Sequence, residues 1–138
     1  MKLTYSFFNP KTGESVVTLT NRYGSYTGKA KLHPDDINNI SKFTGCRLAE
    51  RRAYIKYLQS ERRRYKNSLK TIQNTFKDLQ INCPDSIDEK IEKRINILIH
   101  YHTKNINEID EAINHIKNLI KEEIKVREKI LKSKVKKQ

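Results

Sequence analysis

A chain of 138 residues makes one small domain with a modest core, or a small domain carrying an extension. Its 29 Lys and Arg against 16 Asp and Glu give a formal charge of +13, more than solubility needs, which favours an anionic partner. No run of about 18 apolar residues occurs, so no membrane span is expected, and no long apolar run follows Met1-Lys2 to suggest a signal peptide. Cys46 and Cys83 have no metal-ligand spacing, so reduced thiols and a cytoplasmic setting are the expectation.

Lys2 to Phe8 alternates, with Leu3, Tyr5 and Phe7 on one face and Lys2, Thr4 and Ser6 on the other, which is a strand period. Asn9-Pro10-Lys11-Thr12-Gly13 is turn chemistry. Glu14 to Thr20, rich in Val and Thr, reads as a second strand. After the turn Asn21-Arg22-Tyr23-Gly24, Ser25 to Leu32 alternates Tyr26, Gly28, Ala30 and Leu32 against Thr27, Lys29 and Lys31. Three such strands predict an antiparallel meander that needs a cover on its apolar face. The small Gly28 and Ala30 imply close approach of a covering helix, or of a ligand. Pro34, followed by Asp35 and Asp36, suggests a short helical turn through Asn39.

Thr44 to Leu79 reads as one long helix, capped by Ser41 or Thr44. At roughly 100° per residue, Cys46, Ala49, Ala53 and Tyr57 share a narrow sector suited to sitting close on the sheet. Ile55, Leu58, Tyr65, Leu69, Ile72, Phe76 and Leu79 form a second seam at coiled-coil spacing, with Arg62 at the one missing position. Arg52, Lys56, Arg63, Lys66, Lys70 and Lys77 project within about 40° of one line, well away from that seam. Residues 43–84 carry +7 (ten basic, three acidic), against +3 each for 1–42 and 85–138, so the positive charge is concentrated on this helix.

Cys83-Pro84-Asp85 ends the helix, and Ser86-Ile87-Asp88-Glu89 reads as a capping box for the next. From Ile91 to Ile124 the apolar positions recur near the helical period. This favours one helix of some 45 residues, with a break near Thr103–Asn105 as the alternative. The tail from Lys132 to Gln138 reads as frayed and basic. The predicted architecture is α+β: a three-stranded antiparallel sheet packed on a long helix that continues into an antiparallel, coiled-coil-like helical hairpin. Residues 1–60 form the sheet and helix start, and 61–138 the hairpin extension. Ile97, Ile99, Tyr101 and Leu119 lie off the main seam and suggest a homo-oligomer contact, or a third helix if the break exists.

No catalytic constellation emerges, and no metal or cofactor site is expected. His100 and His102 face different directions on a helix. His33 and His115 have no ligand companions at metal spacing, Asp35 and Asp36 suit a helix start, and the glycines do not make a phosphate loop. Arg47, Arg51 and Arg62 lie near the seam, where they either pair with acids such as Glu111, Glu122 and Glu123 or form a phosphate cluster. The line from Arg52 to Lys77 is the better phosphate candidate. Tyr23, Tyr26 and Phe8 near the sheet either stack on bases or simply pack.

Gly28-Lys29-Ala30, then Pro34 and Asp36, then Gly45, Leu48-Ala49 and Arg52-Ala53 form a block of known type. It resembles a pattern in small uncharacterised proteins of phages and prophages of Gram-positive bacteria. There a Gly-x-Ala strand precedes Pro-x-Asp and a helix opening Gly-x-x-Leu-Ala-x-x-Arg-Ala. The order of strands then helix is also similar to a double-stranded-RNA-binding-domain-like core, although the first helix of such a domain is absent. The likeness covers roughly residues 14–58. It implies a mobile-element origin and a host-cell cytoplasmic location, among small basic proteins that bind or inhibit host and defence machinery. The leading expectation is therefore a non-enzymatic binder of nucleic acid or a ribonucleoprotein. The alternatives are a protein–protein inhibitor of a host or anti-phage defence enzyme (anti-CRISPR-like), or a purely structural oligomer.

Overall fold

The computed structural model describes residues 2–31 and 42–136. The Leu32 end of the third strand, the helical turn expected over Pro34–Asn39 and the Ser41 cap lie outside the described residues. Within them the order is β1 (Lys2–Asn9), β2 (Glu14–Asn21), β3 (Gly24–Lys31), α1 (Lys42–Asn82), a single 3-10 turn at Pro84–Ser86, and α2 (Glu89–Lys136). A three-stranded antiparallel sheet in the order β1-β2-β3 packs on α1, and the antiparallel α2 packs against α1, as the sequence predicts. The chain divides into two compact units, Met1–Leu58 with Ile113–Gln138, and Gln59–Ala112.

In the first unit, both hairpins are closed by the turn chemistry that the sequence carries. Gly13 adopts φ 74, a left-handed conformation that its missing Cβ permits, and its N–H donates to the Asn9 carbonyl at 2.8 Å. Asn21 Oδ1 accepts from the N–H groups of Tyr23 (2.8 Å) and Gly24 (3.1 Å). Val17 pairs with Gly28, Ser15 with Ala30 and Leu19 with Tyr26, which brings these six residues to one face. Val17, Leu19 and Ala30 are buried there with Leu48, Ala49 and Ala53 of α1, and Cys46 and Ile120 pack at the margin of this core.

The sector of small residues on α1 therefore meets the sheet as expected. A side chain on Gly28 would collide with the α1 backbone at Ala49 and Ala53. Tyr57, in the same sector, packs edge-on against Tyr26 with ring centroids 5.5 Å apart.

The expectation for β1 is corrected. Its register against β2 shifts between Leu3 and Tyr5. Because side chains alternate with a strict period of two, this one-residue irregularity flips the rest of the strand. Ser6 and Phe8, paired with Val17 and Ser15, join the helix-facing side, and Ser6 Oγ lies 3.7 Å from Cys46 Sγ. Tyr5 and Phe7 turn outward and are 52% and 46% exposed.

In the second unit, Tyr65 of α1 meets His102 of α2 edge-on at 5.8 Å. The seam residues Leu69, Ile72, Phe76 and Leu79 are half-buried, and Ile106 and Ile109 of α2 are buried. Arg62, the polar interruption in the seam, donates to both carboxylate oxygens of Asp110 at 2.5 and 3.4 Å.

The expected capping box at Ser86 does not form. Ser86 Oγ donates to the Cys83 carbonyl at 2.7 Å inside the 3-10 turn, and Asp88 takes the cap, its Oδ1 accepting the Ile91 N–H at 2.9 Å. Beyond it α2 is unbroken through Lys136. Thr103 Oγ1 and Asn105 Nδ2 donate to the carbonyls of Ile99 (2.8 Å) and Tyr101 (3.0 Å) one turn back, so neither side chain caps a new helix there.

Candidate nucleic-acid interface

The six basic residues proposed from the sequence all lie on α1. Arg52 and Lys56 belong to the first unit, and Arg63, Lys66, Lys70 and Lys77 to the second. Lys56, Arg63, Lys66, Lys70 and Lys77 are exposed, and Arg52 is half-buried. The difference has a cause: Arg52 Nη1 donates to the Lys29 carbonyl of β3 at 2.6 Å, so its guanidinium is occupied by that strand's backbone.

Arg63, Lys66, Lys70 and Lys77 follow each other at steps of three, four and seven, which places them on one helical face. Over these residues the helix advances about 21 Å. Among the described residues, none of the four has a carboxylate within ion-pair distance. They stand apart from the other arginines of α1. Arg47 and Arg51 converge on Glu123, whose carboxylate is nearly buried; Arg51 Nη1 lies 2.6 Å from its Oε2, and Arg47 holds Oε1 through Nε at 3.0 Å and through Nη2. Arg62 pairs with Asp110, and Arg64 with Glu61 at 2.7 Å. Of the acids expected as partners near the seam, Glu123 fills that role, while Glu111 and Glu122 are exposed. Asp110, the partner of Arg62, is not among those expected acids.

The second unit also contains one perturbed phenol. Burial pushes the Tyr65 hydroxyl above its ordinary value near 10, and the neighbouring Tyr101, through its charge and a hydrogen bond, pushes it further. Two of the four off-seam residues expected at an oligomer contact are exposed, Ile97 at 60% and Tyr101 at 53%, whereas Ile99 and Leu119 are half-buried.

Of the aromatic groups considered for base stacking, Tyr26 is spent on Tyr57 and Phe8 is half-buried. Tyr23 is exposed at the β2–β3 turn, with the Arg22 guanidinium 4.8 Å from its ring centroid. Tyr5 and Phe7 are not among the stacking groups expected from the sequence, where plain alternation puts them on one face with Leu3. On the outer face of the sheet they form a near-parallel pair, centroids 6.4 Å apart and 13° between planes.

Among the described residues, no three His, Cys, Asp or Glu side chains are gathered as for a metal ion, and no helix is long and apolar enough to cross a membrane. Comparison with protein-family models, with curated proteins and with solved structures found no match for this chain.

Proposed function

We propose that the protein is a non-enzymatic nucleic-acid binder that holds phosphates on the exposed basic face of α1. One observation carries this reading. Arg63, Lys66, Lys70 and Lys77 share an exposed helical face with no carboxylate partner among the described residues, while Arg47, Arg51, Arg62 and Arg64 are each paired. Unpaired cations in a row cost self-repulsion, which a polyanion relieves by counterion release. The face spans about six nucleotide steps of one strand. A free nucleic acid and a ribonucleoprotein present the same phosphates to it.

The test is fluorescence anisotropy with labelled DNA and RNA of mixed sequence over a range of salt. Four phosphate contacts on duplex DNA give a slope of log affinity on log salt of about −3 to −4. The triple variant Arg63→Glu/Lys66→Glu/Lys70→Glu should lose most of the affinity and most of the slope. Binding that is unmeasurable at low salt, or that has no salt slope, sinks the reading.

A second reading, self-association through α2, is favoured by the exposed Ile97 and Tyr101, which lie four residues apart on one face. Ile97→Ser/Tyr101→Ser should then convert an oligomer to a monomer in sedimentation, and the charge-reversal triple should leave the oligomer intact. A wild-type chain that stays monomeric at every concentration rejects it.

A further inference from the structure

We infer that the outer face of the sheet is a second nucleic-acid surface, one that stacks unpaired bases and so selects single strands. The inference takes its class of ligand from the proposal above but rests on different residues. It begins with the register shift between Leu3 and Tyr5, which turns both rings of the Tyr5–Phe7 pair away from α1. Pairing across the three strands then sets two rows side by side on that face: Tyr5, Thr18 and Thr27, and Phe7, Val16 and Lys29. Lys31 follows Lys29 on the same alternation, with Glu14 opposite it as the one acid on the face among the described residues.

The chemistry of these rows is specific. Two large aromatic groups about half exposed on a strand are unfavourable in water unless something covers their π faces. Their direct cross-strand neighbours on this face, Thr18 and Val16, are shorter than the rings, which stay 52% and 46% exposed. Thr18 and Thr27 are bonded to each other at 2.9 Å, which stiffens the floor of the face. Lys29 is exposed at the far end of the Phe7 row, two strands away, or about 10 Å across the sheet. Aromatic platforms beside a lysine are the combination that binds single strands, a ring taking the base and the cation a phosphate. A duplex offers no free base faces and cannot lay its stacked bases on a sheet. Lys29 and Lys31, both exposed on this face, suit the same class of ligand and repel the same face of a second copy.

The experiment compares oligo-dT and oligo-U with a mixed-sequence duplex by anisotropy, for the wild type, Tyr5→Ala, Phe7→Ala, Tyr5→Phe and Lys29→Ala. The alanine replacements of each ring should weaken single-strand binding about tenfold and leave duplex binding unchanged. Tyr5→Phe should keep it, and Lys29→Ala, an exposed side chain whose loss leaves the strand intact, should lower the single-strand salt slope by about one. Photocrosslinking with a bromouridine oligonucleotide should map to Tyr5 or Phe7.

Folded ring variants with unchanged oligo-dT and oligo-U affinity would overturn the inference, as would equal losses on duplex and single strand. An unchanged slope in Lys29→Ala, or a wild-type dimer that the ring variants dissociate without any change in nucleic-acid binding, overturns it too. The two proposals fail separately. If the charge-reversal triple on α1 changes nothing while the ring variants lose single strands, the helix reading falls and the sheet surface stands. If the triple abolishes duplex binding and the ring variants bind normally, the reverse holds.

Discussion

Gly28 and Ala49 meet backbone to backbone: a Cβ placed on Gly28 would overlap the Ala49 carbonyl oxygen and the Ala53 amide nitrogen. Neither obstacle is the movable end of a side chain, since both belong to the hydrogen-bonded ladder of α1. Gly28→Ala should therefore cost at least the upper end of the usual overpacking penalty, about 3 kcal/mol, by forcing helix and strand apart. Urea denaturation reads this directly. A loss below about 1 kcal/mol would show that α1 does not sit this close to β3.

Beside that contact lies a polar atom with no use in the core. Ser15 is fully buried, paired with Ala30 and Phe8, and its Oγ has no hydrogen-bond partner among the described residues. An unsatisfied buried hydroxyl costs desolvation with nothing in return. Ser15→Ala should raise stability by about 1 kcal/mol, seen as a higher denaturation midpoint at unchanged slope. A destabilised Ser15→Ala would mean that the hydroxyl has a partner in solution.

The close helix–sheet contact was legible because it depends on residue size alone: Gly28, Ala30, Ala49 and Ala53 are small at the right periods. The orientation of Tyr5 and Phe7 was not legible. A bulge needs no particular residue, and Thr4 gives no sign of one, yet it inverts every side chain after it. The sequence places the helix cap two residues early, because Ser86 and Asp88 both suit a cap and only the 3-10 turn at Cys83 decides between them. In the candidate site, the line of cations could be read from helical spacing. That Arg52 is occupied could not, since it depends on the height at which α1 crosses the edge of β3. Arg62 stood out as a gap in the seam, but its partner Asp110 depends on the register between two helices, and acids occur too often along α2 to fix that register from sequence.

The convergence of Arg47 and Arg51 on Glu123 makes that carboxylate the keystone of a three-charge cluster. Removing it leaves two guanidinium groups facing each other. Glu123→Gln should cost about 1–2 kcal/mol, less than a fully buried pair because Arg47 is 42% exposed and solvent screens it. Most of this difference should shrink at about 1 M salt. Glu122→Gln, at the exposed neighbouring position, should stay within about 0.5 kcal/mol. Equal effects for the two variants would remove the cluster from the account of stability.

Tyr65 gives the second unit a distinct alkaline response. Burial first, and Tyr101 and Glu61 next, raise its pKa, with Arg64 opposing them. The folded chain thus holds this phenolic proton more tightly than the unfolded chain does. From about pH 10 upward the unfolded state loses the proton first, so stability is intact below that point and falls as pH rises through the window up to the folded value. The comparison that isolates Tyr65 is with Tyr65→Phe. The wild type should lose more stability than the variant across that window, and Tyr101→Phe should narrow the gap by lowering the folded value. In ultraviolet titration of tyrosinate, Tyr65→Phe should remove a late-ionising phenol. Parallel stability curves for the wild type and Tyr65→Phe would mean that the hydroxyl ionises alike in the folded and unfolded chain.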